Sequence, residues 1–151
     1  MRAELNHVDS WVFDLDNTLY PADAQLFARV DQRMTNFIAR LLDLPFDEAR
    51  AVQKRYFHAH GTTLAGLMDQ HGVDPHAFLA EVHDIEMDVL EHDAPLVAAI
   101  ARLPGRKLVF TNGDAPYAFR VLERLGLRDS FEGVHDIHAM ALAPKPAASA
   151  Y

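Results

Sequence analysis

Trp11-Val-Phe-Asp-Leu-Asp-Asn-Thr-Leu-Tyr20 is the stretch that decides the fold. Its apolar start, from Trp11 to Phe13, predicts a short strand buried on both faces. Asp14 and Asp16 follow at the carboxyl end of the strand, where open α/β sheets bind their ligands. Two neighbouring carboxylates repel each other unless a cation lies between them. The stretch therefore predicts a site for a hard cation that also supplies a nucleophile; the alternative is a polar turn whose aspartates cap backbone groups.

Composition and charge narrow the class of protein. The 151 residues are 50% hydrophobic and 24% charged, with a net charge of −8. This charge argues against a nucleic-acid-binding surface, which needs Lys and Arg, but not against a small phosphorylated ligand. We expect no membrane span and no signal peptide, because long apolar runs are missing. There are no cysteines, which excludes disulfides and thiolate metal sites, and we expect a cytoplasmic protein.

Four consecutive helices are predicted after the first strand. Apolar spacing and turn residues place them at about 22–42, 46–60 and 62–71, and the fourth begins at Asp74-Pro75. The fourth helix carries an apolar stripe made of Phe78, Val82, Ile85 and Val89. This run is too long for a single βαβ crossover. We therefore expect a helical cap over residues 20–92, placed above the strand ends, and a core domain over residues 1–19 and 93–151.

The α/β pattern resumes after the predicted cap. A helix is predicted over 95–103, a buried strand over Lys107–Thr111, a helix over 115–125 and a short strand over 133–137. Strand, helix and strand in this order predict parallel pairing with right-handed connections. The predicted class is α/β, with a Rossmann-like parallel sheet as core and an inserted α-helical cap.

Two further segments carry groups suited to phosphate. Thr111-Asn112-Gly113-Asp114 offers a hydroxyl, an amide and free backbone N–H groups at the start of a helix, although Thr-Asn-Gly is also an ordinary turn sequence. Lys145 lies between Pro144 and Pro146 and supplies a point charge for a phosphoryl group. A solvated lysine in a stiff turn is the alternative.

Together these segments resemble the haloacid dehalogenase-like hydrolases. Asp14-Leu-Asp16-Asn-Thr18 is similar to the first motif of that family, Thr111 to the second and Lys145 to the third. Because the second acidic position is Asp16, the resemblance favours a phosphatase over a dehalogenase.

The resemblance implies covalent phosphoryl transfer with Mg²⁺ as cofactor. Asp14 would attack phosphorus, and Asp16 would protonate the leaving oxygen and then activate water. Mg²⁺ would be held by Asp14 and by the backbone carbonyl of Asp16. The phosphoryl oxygens would be held by Thr111, Asn112 and Lys145.

One part of the family pattern is missing. The fourth motif, an acidic pair that completes the Mg²⁺ site, should follow Lys145, and no Asp or Glu occurs after Asp136. We expect the chain to be part of a longer phosphatase, to which the predicted activity belongs. If later strands are absent, the sheet should have an unprotected edge.

Within the family, the chain looks like the pyrimidine 5′-nucleotidase branch, with UMP- or CMP-like substrates. The stretches that carry this resemblance are Phe13–Pro21, Tyr56–Gly61, Leu64–Leu67 and Phe110–Gly113. Side chains of the cap that could contact a base are Tyr20, Tyr56, His60, Thr63 and Met68, although packing between helices is the commoner role for such residues.

Two other functions compete with the nucleotidase. One is a phosphatase acting on another small ester, such as a sugar phosphate or phosphoglycolate. The other is a non-catalytic remnant that binds phosphate. We expect no zinc site, because His58 and His60 point apart on a helix and His135 and His138 have no third partner. The oligomeric state is not predicted.

Overall fold

A computed structural model describes residues 5–151, which form two compact units. The first contains the described residues up to Ala24 together with Met87–Asp136. The second contains Gln25–Glu86 and Ile137–Tyr151, so residues 137–151, predicted as part of the core domain, pack with this unit. No helix among residues 5–151 is both long enough and apolar enough to cross a bilayer.

Three parallel strands form the sheet of the first unit. They are β1 (Ser10–Phe13), β2 (Arg106–Phe110) and β3 (Gly133–His135), in the spatial order β1-β2-β3. Phe13 lies opposite Val109, and Phe110 lies opposite His135. The predicted α/β class and the parallel pairing are therefore confirmed. β2 ends one residue before Thr111, and β3 is shorter than predicted.

Strand β1 is not buried on both faces, so that prediction is wrong. Trp11 and Phe13 are half-buried: the Trp11 indole donates to the carbonyl of Pro104, and the Phe13 ring packs edge-on against Phe131. Val12 points the other way and is 62% exposed. Among residues 5–151, β1 pairs with β2 alone, so it is an edge strand of the sheet.

Six α-helices were expected and six are found in the described part of the chain. They are α1 (Leu26–Leu42), α2 (Phe46–His60), α3 (Thr63–His71), α4 (Pro75–Val82), α5 (Ala94–Ala101) and α6 (Ala115–Leu125).

Two helices are shorter than predicted by about a turn or more. The first begins at Leu26, because Gln25 has a left-handed backbone with φ 63°, and a 3-10 turn over Ala22–Ala24 precedes it. The fourth ends at Val82, so Ile85 and Val89 lie beyond it. The carbonyls of Asp84 and Glu86 instead accept hydrogen bonds from Arg33 and Arg29 of α1, side-chain partners that a periodicity argument does not detect.

Aspartate caps define where three helices begin. The side chains of Asp74, Asp93 and Asp114 accept backbone N–H bonds at the starts of α4, α5 and α6, and each helix has proline in its first turn. The capping side chain accepts from an N–H that the helix leaves unpaired, and proline, which has no N–H, needs no acceptor there. The first of these caps lies at Asp74-Pro75, where the sequence predicted the fourth helix to begin.

Helix α6 links two parts of the first unit. Its buried face carries Tyr117, Ala118, Val121, Leu122 and Leu125. In its last turn, the Arg124 guanidinium donates to the carbonyls of Met87 and Leu90, at 3.2 and 2.7 Å. The segment that begins at Met87, where the chain returns to the first unit, is therefore hydrogen-bonded to α6.

A buried polar cluster joins α1 and α2 in the second unit. Gln53, 1% exposed, donates to the Asp31 carboxylate at 2.7 Å and accepts from the Thr35 hydroxyl. Arg50 and Lys54 also donate to Asp31. Because each buried polar group has a partner, the cluster orients the two helices without an unpaired group.

Replacing Gly105 by alanine should destabilise the first unit by at least about 2 kcal/mol. Gly105 has φ 79°, and an added Cβ would lie 2.0 Å from the carbonyl oxygen of Asp9, which is backbone and cannot move aside. Gly126→Ala is the matched control, with φ 80° and an exposed imidazole, His92, as its nearest neighbour. Gly126→Ala should lower the free energy of unfolding by only about 1 kcal/mol. Urea unfolding measures both, and equal losses would contradict the prediction.

Gln53→Leu should lower the free energy of unfolding by about 1–3 kcal/mol, because it removes one partner from a buried hydroxyl and one from a carboxylate. Adding Thr35→Val should recover part of the loss, since both members of the buried pair are then apolar. The double-variant cycle is measured by urea unfolding, and a single variant as stable as the wild type would contradict the prediction.

Candidate active site

The carboxyl ends of β1 and β2 lie side by side. Because Phe13 is opposite Val109, the chain leaves the two strands at the same end of the sheet. Asp14 follows β1 directly and is exposed, whereas Thr111 follows β2 and is 1% exposed. The sheet therefore brings together the first two of the predicted motifs.

The turn after β1 presents Asp14 at the surface. The Asp14 carboxylate accepts the N–H of Leu15 at 2.8 Å, which fixes the side chain against its own backbone. Leu15 is fully buried, and its carbonyl accepts the N–H groups of Thr18 and Leu19. Asn17, with φ 55°, supplies the left-handed residue that closes this turn. The buried leucine anchors the loop, and the carboxylate before it stays accessible.

Asp16 lies in a different environment from Asp14. It is half-buried, and its Oδ1 accepts the hydroxyl of Tyr20 at 2.6 Å and the hydroxyl of Tyr117 at 2.7 Å. Burial, followed by the nearby charge of Asp16, raises the pKa of both tyrosines far above the ordinary range. Both hydroxyls therefore stay protonated and remain donors.

The start of α6 is less open than the sequence suggested. The N–H of Gly113 donates to Thr111 Oγ1 at 3.0 Å, the N–H of Tyr117 to Asp114 at 3.1 Å, and the N–H of Ala115 to Asp136 at 2.8 Å. The expectation of free N–H groups is thus wrong for these three. The Thr111 hydroxyl still has its own proton to donate, and the Asn112 amide is half-buried beside it.

The oxygen donors at this strand end suit Mg²⁺ only in part. Asp14 offers an exposed carboxylate, and the family resemblance names the Asp16 backbone carbonyl as a second ligand. Magnesium is often bound by one or two carboxylates, with water and substrate phosphate completing an octahedral shell. Within residues 5–151, no group of three or more His, Cys, Asp or Glu side chains is gathered around a common point. These two residues would therefore supply only part of a Mg²⁺ shell, and water and substrate would have to supply the rest.

Lys145 belongs to the second unit. It is half-buried in the loop between Pro144 and Pro146, and its approach to Asp14 stays a prediction. Pro144 packs near Gly61 of the same unit.

The predicted base-contacting residues fall in two places. Tyr20 lies in the first unit with its hydroxyl on Asp16. In the second unit, Tyr56 bonds His71 at 2.7 Å and contacts the His60 ring, and buried Thr63 donates to the carbonyl of Gln53. Met68 is half-buried in α3. The contacts of Tyr56 and Thr63 are those of packing between helices.

Sequence reasoning missed Tyr117 and Asp136. Tyr117 is in the first turn of the helix that follows β2, and Asp136 directly follows β3. In a parallel sheet both positions lie at the carboxyl ends of the strands, as Asp14 does. Each residue could therefore have been named as a candidate from the strand order.

Comparison with known proteins places these features in a family. Residues 8–151 match the family model described as haloacid dehalogenase-like hydrolase. Phosphate metabolism protein 8 of Saccharomyces cerevisiae is 28% identical over 137 residues, which cover 83% of this chain and 42% of the yeast protein. The chain thus spans less than half the length of that relative.

Two solved structures have a similar fold. A HAD phosphatase from Thermococcus onnurineus aligns with a TM-score of 0.52 at 17% identity, over 89% of this chain and 64% of that one. The putative HAD-hydrolase YfnB of Bacillus subtilis, solved with magnesium, aligns with a TM-score of 0.51 at 12% identity, over 94% and 68%. The match to the family model extends over nearly the whole chain, with Asp14, Asp16 and Thr111 inside it, and the chain belongs to the haloacid dehalogenase-like hydrolases.

Proposed function

We propose that this chain carries the phosphoryl-transfer residues of a phosphomonoester hydrolase. The observation that supports this proposal best is that the two carboxylates of one loop lie in different environments. Asp14 is exposed at the strand end, whereas two hydroxyl groups hold Asp16. A nucleophile must reach the substrate, and an acid–base group must be oriented, so the two environments match two roles.

The reaction proceeds in two displacements. An oxygen of Asp14 attacks phosphorus, the bond from phosphorus to the leaving oxygen breaks, and Asp16 gives that oxygen its proton. Water then attacks the aspartyl-phosphate, Asp16 takes the proton from the water, and Asp14 and phosphate are released. One difficult displacement is thereby divided into two easier ones.

The remaining residues hold the phosphoryl group. Thr111 donates its hydroxyl proton and Asn112 its amide protons to phosphoryl oxygens, and the Lys145 ammonium adds a positive charge. Asp14 and the Asp16 carbonyl would hold Mg²⁺, which when bound neutralises charge on the phosphoryl oxygens. The magnesium reported with the Bacillus subtilis relative supports this choice of ion.

For the substrate we infer a pyrimidine nucleoside monophosphate, such as UMP or CMP. This rests on the resemblance of the loop after β1 and of the segment from Tyr56 to the pyrimidine 5′-nucleotidase branch. The helical segment over residues 20–92 is proposed as the substrate-selecting cap, and a cytoplasmic location is proposed from the lack of cysteine. Sugar phosphates and phosphoglycolate are the alternative substrates.

A phosphate-binding protein without turnover is the second candidate. It is favoured by one observation, that no third acidic side chain joins Asp14 and Asp16 among residues 5–151. Binding of inorganic phosphate without release from any ester would identify it.

Asp14→Asn should lower Mg²⁺-dependent phosphate release from UMP by about three orders of magnitude or more, because the amide cannot act as the nucleophile. The measurement is phosphate release with and without Mg²⁺ by a chain of confirmed intact mass. Asp129→Asn is the matched control, since Asp129 is exposed in the same unit and precedes β3, at the end of the sheet opposite the carboxyl ends of the strands; it should keep wild-type activity. A folded wild-type chain that releases no phosphate from any ester would contradict the proposed function.

With the same assay, kcat/KM should be higher for UMP and CMP than for AMP and phosphoglycolate, because a pocket matched to one base leaves polar groups unpaired against another. Faster turnover of phosphoglycolate or of a sugar phosphate would reject the nucleotidase and leave the phosphatase standing.

A further inference from the structure

Two tyrosines from separate elements converge on one oxygen atom. Tyr20 lies in the loop after β1, and Tyr117 lies in the first turn of α6, 101 residues away from Asp16 along the chain. Both hydroxyls donate to Asp16 Oδ1, at 2.6 and 2.7 Å. The tyrosines are 2% and 1% exposed, so this arrangement, which we name the tyrosine clamp, is buried.

The clamp distinguishes the two oxygens of Asp16. An oxygen that already accepts two O–H bonds is a poor site for a further proton, because binding the proton would displace one of them. Oδ1 can keep both bonds whether Asp16 is charged or neutral, since a carboxylate oxygen and a carbonyl oxygen both accept. The proton therefore travels on Oδ2, and the plane of the carboxyl group stays fixed while it does so.

The position of Tyr117 is set by the start of its helix. Its backbone N–H donates to Asp114, and the N–H of Ala115 donates to Asp136, which follows β3. Both aspartates are less than a tenth exposed. Since these bonds fix the first turn of α6 against the sheet, the hydroxyl of Tyr117 is held where Asp16 needs it.

We propose that Tyr20 and Tyr117 are positioning residues that orient Asp16 so that its Oδ2 exchanges the proton with the leaving oxygen and with water. This rests on the proposed function, in which Asp16 is the acid–base group. The competing view is that the tyrosines only fill the core, with Asp16 as a convenient acceptor for their hydroxyls.

Leaving groups of different basicity separate the two views. The ribose oxygen of UMP needs a proton to leave, whereas p-nitrophenolate leaves without one. Single-turnover release of uridine from UMP and of p-nitrophenolate from p-nitrophenyl phosphate is measured for Tyr20→Phe, Tyr117→Phe and the double variant. Asp16→Asn gives the full loss of acid catalysis, about 10²- to 10⁴-fold. Tyr151→Phe, which removes the hydroxyl of an 82% exposed tyrosine, is the matched control.

Each single variant should slow uridine release about tenfold, and the double variant should approach Asp16→Asn. Release of p-nitrophenolate should change by less than about twofold in all three, because that step needs no proton transfer. Equal losses on both substrates, or no loss on either, would overturn the role of the clamp while leaving the phosphatase intact.

A second measurement does not depend on turnover. Hydroxyl protons held in buried bonds to a carboxylate exchange slowly with water and give downfield proton NMR signals. Two such signals are expected in the wild type, and each single Tyr→Phe change should remove one, whereas Tyr151→Phe should remove neither. Absence of both signals would overturn the clamp itself. A wild-type chain that shows both signals but releases neither product would contradict the proposed function and, with it, the catalytic role of the clamp.

Discussion

The parallel pairing of β1 with β2 is the constraint on which the site depends. With Phe13 opposite Val109, the chain must leave both strands at the same end of the sheet, so Asp14 and Thr111 lie at that end although 97 positions separate them. A shift of one residue in this register would turn the side chains of a strand to the opposite face. The position of the site therefore depends first on the strand register and only then on the conformation of the loops.

The loop that follows β1 places its two aspartates in different environments. Buried Leu15 lies between them and anchors the turn, so that Asp14 is left at the surface and Asp16 is directed towards Tyr20 and Tyr117. A single buried leucine thus separates one exposed carboxylate from one that two hydroxyl groups orient. The two aspartates differ in hydrogen bonding and burial, since the side chains themselves are identical.

Much of this could be predicted from sequence, and what could not has identifiable physical causes. Local patterns located the strands and all six helices, because apolar spacing, aspartate caps and glycine stops act within a few residues. The exposure of Val12 could not be predicted in this way, since it depends on which strands flank β1. Likewise α4 ends at Val82, and arginines of α1 donate hydrogen bonds to backbone carbonyls just beyond that end. The spacing of apolar residues carries no information about such a contact. Asp14, Asp16 and Thr111 were named as candidates from their motifs, whereas Tyr117 is recognised only from a hydrogen bond to Asp16 across 101 positions.

Side chains at both ends of helix α6 make hydrogen bonds to other parts of the first unit. Its first turn holds Tyr117 against Asp16, and its last turn holds Arg124 on the carbonyls of Met87 and Leu90. An 11-residue helix is a stiff rod about 16 Å long, so neither end can shift without moving the other. Evolutionary drift in this helix should therefore concentrate at outward positions such as Glu123, and a change at Arg124 should be tolerated only together with a compensating change near the start of the helix.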